Sequence, residues 1–128
     1  MMKILLIGEK NELNDTVVDV LSTQPDFSVE SCPPSTFPEK LGNGAAKDLD
    51  ILIADLTAFD TKPVETIINL KKLGLDCALL AVHVYTSAHF IEPLLKAGAQ
   101  GYLPSATTKK EMMEAIEKLS HGDKYPLF

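Results

Sequence analysis

Four polar groups in this 128-residue chain stand directly behind short apolar runs. Glu9 follows Ile4-Leu5-Leu6-Ile7 and Gly8, Asp55 follows Ile51-Leu52-Ile53-Ala54, His83 closes the run from Cys77 to Val82, and Ser105 comes after Gly101-Tyr102-Leu103 and Pro104. Glu9 and Asp55 offer hard oxygen ligands, but two acids alone would hold Mg²⁺ weakly, with several waters left on the ion. Adding the imidazole of His83 makes a donor set that suits Zn²⁺ or Mn²⁺; alternatively, His83 forms an ion pair with Asp55. Ser105 donates one hydrogen bond and brings no charge. No nucleophile stands beside a general base, so an independent enzyme is not read from the sequence. Cys32 and Cys77 are far apart, with no CxxC pair or Cys/His ladder around them. They read as small apolar side chains rather than zinc ligands.

These groups matter only if the chain brings them together, and the pattern predicts that it does. The continuous apolar runs suit strands buried on both faces of a parallel sheet. Between them, Leu13, Val17, Val20 and Leu21 recur at helical spacing, closed by Pro25. Phe27–Ser31 alternates like an edge strand and stops at Pro33-Pro34. Ser35 can cap a short helix with Phe37 and Leu41 that dissolves at Gly42-Asn43-Gly44. Pro63 is placed to open a helix that ends near Gly74, Ser87 to cap one that closes at Gly98, and Thr107 or Thr108 to start a last one with Met112, Ala115, Ile116 and Leu119 on one face. Pro93 falls in the first turns of the helix after Ser87. The order is (βα)₅, which predicts a doubly wound parallel five-stranded sheet between two helical layers, a flavodoxin-like α/β fold. In such a sheet, ligands gather at the carboxyl ends of the strands, where Glu9, Asp55, His83 and Ser105 should meet.

The length suits one domain, residues 1–128. The net charge is −6 and all twelve basic residues are lysines, so this domain lacks the basic, arginine-bearing footprint of a direct nucleic-acid binder. The opening MMKILLIGEK holds too short an apolar run for a signal or membrane segment, and the expected location is the cytoplasm.

Along nearly its whole length the chain resembles a receiver domain of a two-component response regulator. The segment DILIADL, Asp50 to Leu56, resembles the strand with the phospho-accepting aspartate. LLKAGAQGYL, Leu94 to Leu103, resembles the stretch leading into the fifth strand, and MKILLIGEK the opening strand with its acidic pair. EAIEKLSHGDKY resembles the last helix of NarL/LuxR-type regulators, which continue into a helix-turn-helix domain; residues 120–128 would then begin a linker. The resemblance implies Asp55 as phospho-acceptor, weakly bound Mg²⁺ on Glu9 and Asp55, and Tyr102 as an aromatic switch. It also implies departures: Gly8 stands where a second acid belongs, His83 where a hydroxyl residue belongs, and Ser105 where a lysine belongs. The expectation is an atypical receiver, a pseudo-receiver signalling through protein contact. Its partners would be a sensor histidine kinase or another signalling protein, or a second copy through the last strand and helix. The alternative is a flavodoxin-like domain for a small ligand or cofactor.

Overall fold

The structure is a computed structural model and describes residues 2–37, 48–74 and 76–125. Five strands, β1 (Met2–Ile7), β2 (Phe27–Cys32), β3 (Ile51–Asp55), β4 (Ala78–His83) and β5 (Gly101–Pro104), form one parallel sheet in the order β2-β1-β3-β4-β5. The central strands read as unbroken apolar runs because each buries both of its faces; every residue of β3 is buried. β2 lies on the edge, as expected, but its burial does not alternate: Phe27–Val29 are half-covered, Glu30 and Ser31 exposed and Cys32 buried.

Four helices among the described residues cover the sheet: α1 (Glu12–Ser22), α2 (Pro63–Lys71), α3 (Ala88–Ala97) and α4 (Lys109–Ser120). One face of the sheet, with Leu5, Ile7, Leu52, Leu79 and Tyr102, packs against Ile67 and Leu70 of α2 and Ile91 and Leu94 of α3. The opposite face, with Ile4, Leu6, Ile53, Leu80 and Leu103, packs against Leu21 of α1 and Met112, Ile116 and Leu119 of α4. No described helix is long and apolar enough to cross a membrane.

The helix starts follow their caps. Asn11 accepts from the Asn14 backbone N–H, Ser87 from His89 and Thr108 from Glu111, so Thr108 rather than Thr107 opens α4. Pro93 lies further into α3 than the first turn, and the helix runs through it without the bond its missing N–H would have made. After Pro33 the described residues show a 3₁₀ turn at Pro34–Thr36 and then Phe37, buried and in helical conformation; the rest of the helix expected from Ser35 lies outside the described residues. Leu41 and the Gly42-Asn43-Gly44 turn lie outside the described residues.

Residues 121–125 return to the sheet instead of leading straight away from it. The Tyr125 N–H donates to the Gln100 carbonyl at 3.1 Å, and Tyr125's carbonyl accepts from the Tyr102 N–H at 2.7 Å. Gly101 makes this possible, because a Cβ there would sit 2.9 Å from the Tyr125 oxygen.

Candidate functional site

Parallel register sets the site. Ile7 pairs with Ala54, Asp55 with Val82, and His83 with Pro104, so the residues at and just beyond these strand ends emerge on one rim. The structure places Asp55 in the middle of it, buried at the end of β3. A buried carboxylate must find donors, and Asp55 finds them close by. Its Oδ1 accepts from the Thr57 backbone N–H at 3.1 Å and the Thr57 hydroxyl at 2.6 Å, a turn that caps the 3₁₀ segment Leu56–Ala58. Its Oδ2 accepts from Asn14 Nδ2 at 3.0 Å.

Asn14 is the organising residue. It is buried in the first turn of α1, and Asn11 holds that turn by capping its backbone N–H at 2.8 Å. The Asn14 amide also donates to the Glu9 carbonyl at 2.8 Å. One neutral amide therefore joins a backbone carbonyl to the Asp55 carboxylate. Gly8 makes room for it: a Cβ at position 8 would lie 2.7 Å from Asn14 Nδ2, 3.0 Å from Asp55 Cβ and 3.3 Å from Asp55 Oδ2. The volume that a side chain at position 8 would need is filled by Asn14 and Asp55.

This donor set does not suit a hard divalent cation as it stands. A carboxylate has about four acceptor positions, and Asp55 has three of them in use. The Glu9 side chain is exposed, and only its backbone carbonyl reaches the Asn14–Asp55 cluster. Among the described residues no three of His, Cys, Asp and Glu gather closely enough to hold a metal, so the Glu9/Asp55/His83 centre considered for Zn²⁺ or Mn²⁺ is not formed.

The other half of the rim is built from rings. His83 stacks on Tyr85 with centroids 4.1 Å apart and planes 19° from parallel, and Tyr85 stacks in turn on Phe90 at 5.1 Å. His83 Nδ1 accepts from the Val84 backbone N–H at 2.8 Å, which puts the proton of the neutral ring on Nε2. Burial pushes the His83 pKa below its ordinary value, and the negative charge of Asp55 pulls it partly back. The expected alternative of a His83–Asp55 ion pair is therefore not realised: the ring turns to its own backbone and to Tyr85, while Asp55 turns to Asn14 and Thr57.

Ser105 is half-buried, and its backbone N–H donates to the His83 carbonyl at 2.8 Å. Lys109 and Lys110, at the start of α4, are exposed. Tyr102 points inward at 1% exposure, and its hydroxyl reaches the carbonyls of Tyr85 at 2.7 Å and His83 at 2.9 Å. Burial pushes its pKa up to about 12, so it remains a neutral donor that ties the segment from 83 to 85 onto β5. Sequence reasoning missed Asn14 and Thr57. Thr57 carried a signal, since Asp followed two residues later by a donor makes an Asx turn. Asn14 carried less, because a polar residue in a first helical turn ordinarily faces water.

Solved structures share this fold. A receiver domain of the NarL regulator from Mycobacterium tuberculosis superposes with a TM-score of 0.77 at 16% identity, over 94% of this chain and 97% of that one. The fold is that of a response-regulator receiver. The RcsB response regulator of Salmonella typhimurium gives a TM-score of 0.83 at 14% identity, over 99% of this chain and 66% of that one. In sequence, the chain is similar to a nitrate/nitrite response regulator homologue of Haemophilus influenzae, 25% identical over 122 residues. That match covers 95% of this chain and 58% of the relative, so the chain spans somewhat over half the length of the regulators it resembles. No family model matches it. The receiver likeness spans 94–99% of this chain in these comparisons.

Proposed function

We propose that this chain is an atypical receiver: a cytoplasmic signalling domain that works through protein contact, with Asp55 at the phospho-acceptor position of an incomplete phosphorylation site. The observation that carries this reading is the Asn14 amide, which sits between the Glu9 carbonyl and Asp55 Oδ2 in space that Gly8 leaves open. A receiver's acceptor is served by a metal held on neighbouring acids, and this chain's own residues do part of that work without charge. Asn14 and Thr57 orient the Asp55 carboxylate, Asn14 occupies the approach from position 8, and the His83 ring covers the neighbouring strand end. Ser105 brings no ammonium. A hydrogen bond to a charged group contributes roughly 1.5–3 kcal/mol, so that loss alone slows phosphoryl transfer on the order of tenfold to a hundredfold. Any Mg²⁺ held on Glu9 and Asp55 would be weakly bound.

The partner surface of this reading is the sheet edge formed by β5 and α4, with the loop after β4 beside it; Tyr102 is buried behind that edge rather than part of the surface. The loop exposes Val84 at 62%, and Phe90 in the first turn of α3 is 53% exposed next to the Tyr85 ring. A sensor kinase or another signalling protein is the expected partner, and a second copy would use β5 and α4. Labelling with acetyl phosphate and Mg²⁺, read by intact mass against Asp55→Asn as the blank, tests the proposal. The parent should label slowly or not at all. The combined variant Gly8→Asp, Asn14→Ala, His83→Thr and Ser105→Lys should label well above it. Rapid, stoichiometric labelling of the parent would overturn the reading.

A further inference from the structure

Between α1 and α4, below the rim, lies a cavity of about 140 Å³. Its floor is the sheet face carrying Leu6, Ile53, Leu80 and Leu103. Val17 and Val20 of α1 form one wall, and Met112 of α4 forms the other. Leu13, at the open side, is 44% exposed. A mostly apolar pocket of this volume is large enough for a molecule about the size of a benzene ring.

The geometry points to a binding site for a small uncharged apolar molecule, an aromatic ring or a compact aliphatic of similar size. The lining is mostly aliphatic and carries one charge, that of the exposed Lys109 at the mouth, so an uncharged ligand fits it best. Asn14 and Ser105 join the lining at the upper end, with Thr16, Thr107 and Lys109 the other polar residues around the pocket. Asn14 is also the residue whose amide holds Asp55, so an occupant would press on the wall of the acceptor site. The proposal does not depend on whether Asp55 takes phosphate, and the two can fail separately.

The test uses benzene as the probe, followed by methyl-resolved NMR of the full chain. Saturable shifts confined to Leu6, Val17, Ile53, Leu80, Leu103 and Met112 are expected, with methyls of the α2–α3 side unmoved. Val17→Phe should fill the space and weaken benzene binding at least tenfold while the melting temperature holds or rises. Val20→Leu is a milder filling variant that should weaken binding several-fold should Val17→Phe not fold. Shifts that stay linear in benzene, that spread over both faces of the sheet, or that survive the filling variant that folds would overturn the proposal.

Discussion

The two halves of the strand-end rim solve the same problem in opposite ways. At the ends of β1 and β3 the polar groups turn inward: Asp55, Asn14, Thr57 and the Glu9 carbonyl satisfy one another. At the ends of β4 and β5 the backbone is tied down by the Tyr102 hydroxyl, while His83, Tyr85 and Phe90 form a stack running toward an exposed apolar loop. No buried side-chain polar atom among the described residues lacks a partner. On the proposed reading, the first half has given up chemistry and the second keeps recognition. A carboxylate with three acceptor positions in use is poorly placed to attack, whereas exposed rings and aliphatics suit a protein partner.

The strongest way to break the contrast is Asn14→Asp, which would put a second carboxylate about where the amide now stands, 3.0 Å from Asp55 Oδ2. Two like charges at this distance cost on the order of 2–4 kcal/mol at neutral pH. Thermal melts should show that loss, and millimolar Mg²⁺ should recover most of it in this variant and not in the parent. Gly8→Ala comes next, because its Cβ would lie 2.7 Å from Asn14 Nδ2. It should destabilise by about 1–3 kcal/mol. Combining it with Asn14→Ala should cost less than the two separate effects added together, a coupling that denaturant titrations of the double-mutant cycle would measure.

On the aromatic half the effects are smaller. Tyr102→Phe removes the hydroxyl that joins the carbonyls of residues 83 and 85 and should cost about 1 kcal/mol in denaturant titrations. It should also loosen the loop before α3, visible as faster amide exchange around Tyr85. The smallest effect is a pH dependence from His83. Its pKa lies lower in the folded chain, so the unfolded state takes the proton first, and stability falls as pH drops through the ordinary histidine range near 6.5. His83→Gln should flatten that slope in melts between pH 7 and about 5.5.

Much of the fold was legible because β1, β3 and β4 are apolar runs that end in polar groups, and helix starts carry Pro63, Ser87 and Thr108. The rim followed from parallel register. What lay beyond the sequence was orientation. Asn14 meets Asp55 across 41 residues, and nothing local marks a first-turn asparagine as buried. The sequence allowed His83 to face Asp55. Its stacking on Tyr85 and its bond to the Val84 N–H depend on how the chain turns after β4. The return of Tyr125 to β5 rests on a close approach at Gly101, a position that read simply as the start of a strand.

The central claim is that the Asn14 amide stands in for a cation at Asp55, and a Mg²⁺ titration watched through the Asn14 side-chain NH₂ resonances tests it most directly. The account predicts that these resonances hold their positions into the millimolar range, with only small, unsaturated shifts at Glu9 and Asp55. Saturable movement of the Asn14 amide at micromolar Mg²⁺ would show that the ion displaces it and would contradict the account.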